Sequence, residues 1–188
     1  SRATILYLGH SARVIGDGPP GSVIIEASGI GMSLEGSGIL VRNLVVRSGA
    51  KVAANVQGQA RIEGCQFSST TSSAVQVQGK GDAVFTNCRL TGSGERGLLA
   101  VGGRSRLENC EISGNRQGIN ASGSGSVTMT GGSIKDNQRS GVRASSGGSV
   151  TITDCAISGN QLNGIEVQGG AVTLRNCKVT NNRQFGVS

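Results

Sequence analysis

One octapeptide pattern recurs along this chain at a nearly constant interval, and that recurrence limits the possible folds more than any other feature. RLENCEIS at 106–113, TITDCAIS at 151–158 and TLRNCKVT at 173–180 are copies of it, with weaker copies at 40–47, 61–68, 84–91 and 128–135. Aligned on the cysteine position the copies place Leu44, Cys65, Cys88, Cys110, Gly132, Cys155 and Cys177 in one slot, about 22 residues apart. A second motif follows the later copies: GINA at 118–121, GVRA at 141–144, GIEV at 164–167 and an opening GV at 186–187. Between the two motifs lie Asn115, Asn137, Asn160 and Asn182, one per repeat. Asparagine tolerates left-handed backbone and bonds locally, so these four are expected to be turn residues.

Inside each repeat the residues alternate apolar and polar, as in Ile165-Glu166-Val167-Gln168 and Val172-Thr173-Leu174-Arg175, which is the period of a strand. Helical periodicity is absent from the pattern. Strands of four or five residues, broken by glycine corners such as Gly147-Gly148 and Gly169-Gly170, must return to the same slot in each repeat. They therefore stack in parallel, one coil on the next, about 4.8 Å apart. The expected fold is all-β: a single-stranded right-handed parallel β-helix, a solenoid of about seven regular coils over 39–188, preceded by irregular N-terminal coils over 1–38, in one continuous domain.

Three inward rows follow from the alternation. The first is Val41, Ile62, Phe85, Leu107, Met129, Ile152, Leu174; the second is Val46, Phe67, Leu90, Ile112, Ile134, Ile157, Val179; the third is Val56, Val77, Val101, Ala121, Ala144, Val167. Burying about five such side chains gives a coil roughly 8–15 kcal/mol, less than the roughly 20–40 kcal/mol needed to order its backbone. Isolated coils are not expected to fold. Composition agrees with a core of small and branched side chains: 32 glycines, no Trp, and only Tyr7, Phe67, Phe85 and Phe185 as aromatics.

These residues resemble the parallel β-helix repeats of the pectate-lyase-like superfamily, the carbohydrate-binding and sugar-hydrolase type of repeat. The pattern Asn-Cys-x-Ile-Ser-Gly-Asn followed by Gly-Ile-x-Val covers about 40–188, and VIGDGPPGSVIIE at 14–26 is similar to the irregular first coils of many bacterial members. The resemblance implies the fold. It leaves function open, because the superfamily includes lyases, epimerases, hydrolases, surface proteins and non-catalytic modules.

Chemistry must then lie on outward positions. The resemblance implies, for a lyase, clustered acids holding calcium and an Arg or Lys base. The outward row Arg42, Glu63, Thr86, Glu108, Thr130, Thr153, Arg175 places Glu63 and Glu108 two coils, roughly 10 Å, apart, too dispersed for a calcium cage. Glu108 and Glu111 flank a corner and are expected to diverge. Asp17, Asp82, Glu95, Asp136, Asp154 and Glu166 form no row, and His10 has no evident carboxylate partner. No catalytic residue, metal or cofactor is expected. Inward cysteines behave as small hydrophobes, and an odd count of five excludes a complete disulfide framework, so reduced thiols and a cytoplasmic setting are expected. Thr128, Thr130, Thr151, Thr153 and Thr173 form an outward array too short for ice binding.

The candidate binding residues are basic. Arg96, Arg116, Arg139 and Arg183 fall just before the Gly-Ile strand with Arg143 nearby, so successive coils bring guanidinium groups to one edge, able to grip carboxylates or phosphates. Eighteen Lys and Arg against eleven Asp and Glu give a net charge of +7, which favours anionic partners. Nucleic acid is not the expected partner, because stacking aromatics are missing. Outward Gln57, Gln78 and Gln168 could bond a glycan or each other. No apolar run is long enough to span a membrane.

The expected function is a non-catalytic module, part of a larger bacterial-type protein, that offers an elongated binding or scaffolding surface to a protein or an anionic polysaccharide. Its rivals are a carbohydrate-active enzyme, a lyase, epimerase or hydrolase with its site on an outer face or in other segments, and a cell-surface or appendage protein. The start at Ser1-Arg2-Ala3-Thr4 without Met points to a fragment. Open coil ends lead to a further expectation, end-to-end self-association through the C-terminal coil.

Overall fold

The structure, a computed structural model, describes residues 6–188; the Ser1–Thr4 start lies outside them. Among the described residues there is no helix, and the strands pair in parallel into a β-solenoid. The first face stacks eight strands: Leu6–Leu8, Met32–Leu34, Ala54–Val56, Val75–Gln78, Arg96–Val101, Gln117–Ser122, Val142–Ser145 and Ile165–Gln168. The second face begins at Arg13–Ile15 and ends at Ala171–Arg175; the third begins at Ile24–Ala27 and ends at Lys178–Thr180. Two ten-residue strands, Arg104–Ser113 and Ser126–Lys135, run through the bend and join the second face to the third.

Register confirms the first two inward rows and extends them into the N-terminal segment, where Val14 pairs with Val41 and Ile25 with Val46. Residues 6–31 thus supply a coil of the same three faces, lengthened by an excursion between Ile15 and Ile24. The third row needs one correction. Ala100, not Val101, stands between Val77 and Ala121, and Val101 is 40% exposed. Leu98, Leu99, Ala100 and Val101 are all apolar, so alternation gives no phase there and the neighbouring strands decide it. A fourth inward row, Met32, Ala54, Val75, Leu98, Ile119, Val142 and Ile165, completes the first face. Phe67 and Phe85, both fully buried, are the largest side chains in the core.

The asparagine row lies in the turns, by a different device from left-handed backbone. Asn115, Asn137, Asn160 and Asn182 are not the left-handed residues; positive φ belongs to the residue before each, at Gly114, Asp136, Gly159 and Asn181. The first three asparagines are instead buried, at 0%, 0% and 1% exposure, and form a ladder. Each Oδ1 accepts the backbone N–H of the preceding coil, Asn115 N to Asn137 Oδ1 at 3.0 Å and Asn137 N to Asn160 Oδ1 at 3.1 Å. Each Nδ2 passes a hydrogen bond to the next amide, 3.2 Å from Asn115 to Asn137, then 2.9 Å and 2.9 Å. The side chains thus satisfy turn donors that water cannot reach.

The five cysteines are free thiols, all buried except the half-buried Cys177. Their slot follows a row of left-handed residues, Asn43, Gly64, Asn87, Asn109, Gly131, Asp154 and Asn176, that turns the chain from the second face to the third. Each Sγ lies against the carbonyl two residues back, from 3.1 Å at Thr153 O to 3.4 Å at Glu108 O, and against a carbonyl of the preceding coil, as in Cys177 to Ile152 O at 3.3 Å. Burial pushes the Cys65 thiol up and takes Cys155 up to about 11; Cys88 is raised by its hydrogen bond to Cys110 and by burial. A raised folded pKa stabilises below the unfolded value, and that stability is lost as pH climbs toward the folded one. Denaturant midpoints are therefore expected to fall between about pH 9 and about pH 11, and Cys155→Ala to fall less steeply over that window. Equal slopes for the two proteins would remove Cys155 from the explanation.

Candidate functional site

The turn from the third face back to the first carries the outward arginines. The asparagine ladder fixes where each turn begins, and a glycine three or four residues later opens the strand of the first face. At Gly97, Gly118, Gly141 and Gly164 an added Cβ would lie 2.7–3.1 Å from the amide Nδ2 of a ladder asparagine. Ladder and glycine row therefore require each other, and of the residues between them Arg116, Gln138 and Arg139 are exposed while Gln117 and Ser140 are buried.

Arg96, Arg116, Arg139 and Arg143 meet there, around a cavity of about 60 Å³ that is also lined by Glu95 and Gln117. Strand register brings them together: Arg96 pairs with Gln117, and Arg143 stands next to Asn120 on the first face. Arg116 is anchored through its backbone N–H to Ser93 O at 3.0 Å. Arg96 Nη1 reaches Glu95 Oε2 at 2.9 Å. Arg143 Nε lies 3.8 Å from Glu166 Oε1, and its Nη2 donates to Gln168 Oε1. Glu166 is held from the other side by Ser140 Oγ and Gln168 Nε2, each at 2.8 Å. Ion pairs among the described residues leave Arg116 and Arg139 without a carboxylate partner. Nε of Arg96 and Nε of Arg143 are shielded from solvent and have no hydrogen-bond partner.

Arg183 stands apart. It occupies the turn position of Arg116, its N–H donating to Asn160 O, but three coils farther along, roughly 15 Å away. Gln117, which the sequence pattern does not single out, lines the cavity because it is the residue before the glycine of its coil, the position of Arg96 one coil earlier. Aligning on that glycine rather than on the arginines is the signal that finds it.

The other outward groups stay dispersed. Glu63 is taken by Arg42 at 2.6 Å. Glu108 and Glu111 lie on different faces, and the Ser113 hydroxyl, with Lys135 and Arg89, holds the Glu111 carboxyl below its usual range. His10 Nδ1 contacts Ser37 Oγ at 3.0 Å on the exposed surface of the first coil. Thr128, Thr151 and Thr173 stack in register, as do Thr130 and Thr153. Among the described residues no three His, Cys, Asp or Glu side chains gather to hold a metal, and no helix is long and apolar enough to cross a membrane.

No curated protein sequence matches the chain. Among solved structures it is similar to pectate lyase Pel9A, at 12% identity and a TM-score of 0.58, over 95% of this chain and 60% of that one. It is also similar to the A-module of the mannuronan C-5 epimerase AlgE6 of Azotobacter vinelandii, at 16% identity and a TM-score of 0.52, over 96% of this chain and 68% of that one. At such identities the likeness is one of fold alone. A family model described as "Right handed beta helix region" matches residues 48–188, most of the chain, and with the parallel register of every coil it shows that this protein belongs to the right-handed β-helix family.

Proposed function

We propose that this chain is a non-catalytic binding module that takes an anionic polysaccharide against its first face, gripping acidic groups with Arg96, Arg116, Arg139 and Arg143. One observation carries the reading: four guanidinium groups converge on a single small cavity, two of them without a carboxylate of their own. Guanidinium forks recognise planar and tetrahedral oxyanions through paired hydrogen bonds, and four of them in one place exceed what solubility requires. Support for binding without turnover comes from the acids: Glu95 is tied to Arg96 and Glu166 to Ser140 and Gln168. The stack of parallel coils supplies the stiff, elongated surface on which a polymer can lie.

The names of the two solved relatives supply the first ligands to try, pectate and mannuronan, with a neutral glucan as control. Titration calorimetry is expected to show salt-sensitive binding of the acidic polymers and none of the glucan. Losing charged hydrogen bonds at two positions costs about 1.5–3 kcal/mol each, so Arg116→Ala with Arg139→Ala is expected to weaken binding at least about a hundredfold, and Arg183→Ala to leave it unchanged. Both arginines are exposed, so the variant should fold. Unchanged binding by the double variant would overturn the proposal. Shortening or epimerisation of the polymer by the wild-type chain would replace it with the enzymatic reading.

A further inference from the structure

Resting on that reading, we infer that the group the arginine cavity takes most tightly is a doubly charged tetrahedral oxyanion, a phosphate monoester carried on a sugar, in preference to a uronate carboxylate. Three independent properties of the cavity point the same way.

Charge is the first. Arg96 is paired with Glu95 and Arg143 with Glu166, while Arg116 and Arg139, which line the same cavity, have no carboxylate within ion-pair distance, so two positive charges are left uncompensated. A carboxylate neutralises one of them, whereas a phosphate monoester carries about −1.5 to −2 at neutral pH.

Unmet donors are the second. Nε of Arg96 and Nε of Arg143 are both shielded from solvent and make no hydrogen bond, the second lying 3.8 Å from Glu166 Oε1, and both residues line the cavity. A shielded donor without a hydrogen bond has lost its water and gained no acceptor, so an oxyanion that accepts from it recovers that cost on binding. These donors come from separate strands two coils apart, Arg96–Val101 and Val142–Ser145, and Arg116 and Arg139 belong to turns of intermediate position. Acceptors facing several directions suit this arrangement better than the two coplanar oxygens of a carboxylate.

Size is the third. The cavity is small, about 60 Å³, which suits a compact anion rather than a whole sugar. A phosphate ester group has four oxygens around one centre. A pyranose ring does not fit inside, so the sugar would lie outside the mouth, against Gln117 or the first face.

The test uses the whole chain and small probes. Calorimetric titration with glucose 6-phosphate, inorganic phosphate and glucuronate is expected to rank both phosphates at least about tenfold tighter than glucuronate. Arg116→Ala with Arg139→Ala should abolish the difference, and Arg183→Ala should not. Raising pH from about 5.5 to about 7.5 should tighten phosphate binding several-fold, because the ester's second proton leaves near pH 6; the charged groups around it are Glu95, Glu166 and the four arginines. Glucuronate binding as tightly as glucose 6-phosphate would overturn the inference and leave the polysaccharide reading standing. So would binding of pectate or mannuronan, lost in the double variant, with no affinity for either phosphate. Equal affinity for inorganic phosphate and glucose 6-phosphate would support the oxyanion site but remove the sugar from the assignment. Absence of binding to any probe and to the polymers would overturn both.

Discussion

Replacing Asn137 with Ala is expected to destabilise the coil stack by about 2–4 kcal/mol, as much as deleting a large core side chain, although no apolar contact of comparable size is removed. Asn137 Oδ1 accepts from the Asn115 backbone N–H at 3.0 Å and from Asn115 Nδ2 at 3.2 Å, and all three groups are buried. Alanine leaves both donors without an acceptor in a place water does not reach, at about 1–3 kcal/mol each. Its own Nδ2, which had passed the bond to Asn160 Oδ1 at 2.9 Å, disappears, but that oxygen keeps the Asn137 backbone N–H. Asn182→Ala offers the contrast. Asn182 is half-buried, and the Asn160 donors it releases lie nearer solvent, so about 1 kcal/mol or less is expected. Urea unfolding of the two variants measures the difference. Equal small losses would mean that the ladder only decorates a turn held by the strands.

The comparison of sequence with structure turns on the same residues. The octapeptide rows were readable because Val41 to Leu174 and Val46 to Val179 combine strict alternation with constant spacing, so residue type and register carry the same message. Where those two separate, reading fails. Val101 looked inward because valine is apolar, yet four consecutive apolar residues leave the phase to the neighbouring strands. The asparagine slot was visible as a spacing, but its physical role was not. Asparagine serves equally well as a left-handed residue and as a buried amide rung, and only the burial of Asn115, Asn137 and Asn160 separates the two.

The site was legible to a similar degree. Arginines before the glycine motif place positive charge on one edge, and Arg96, Arg116, Arg139 and Arg143 do converge. Their exact company depends on turn length: two residues separate Asn115 from Gly118, but three separate Asn137 from Gly141. That one-residue difference sets Arg139 between the positions of Arg116 and Gln117, something a count along the chain does not reveal. Glu166 and Gln168, which hold Arg143 from the next coil, become visible only through strand register.

Gly118→Ala, a single methyl added beside the cavity, is expected to cost about 3 kcal/mol or more. Its Cβ would fall 2.2 Å from Gly141 O, 2.9 Å from Ile134 Cγ2 and 3.1 Å from Asn137 Nδ2. The first of these is the acceptor of the Ile119 N–H at 2.8 Å, so relief of the clash has to pull a ladder bond apart, and backbone on both sides is already tied to neighbouring coils. Gly79→Ala isolates the alternative cause. Gly79 has φ 61° with nothing within 4 Å of an added Cβ, so only the left-handed backbone opposes the methyl, at about 1–2 kcal/mol. A loss at Gly118 well above that at Gly79 assigns the glycine row to packing against the ladder; similar losses would assign both to backbone freedom. Binding should separate them further. Gly118 follows Arg116 and Gln117 directly, so displacement of its strand opens the cavity, whereas Gly79 lies at the far corner of the first face. Loss of oxyanion affinity in folded Gly118→Ala, with affinity kept in Gly79→Ala, would show that the asparagine ladder holds the arginines in place as well as the coils.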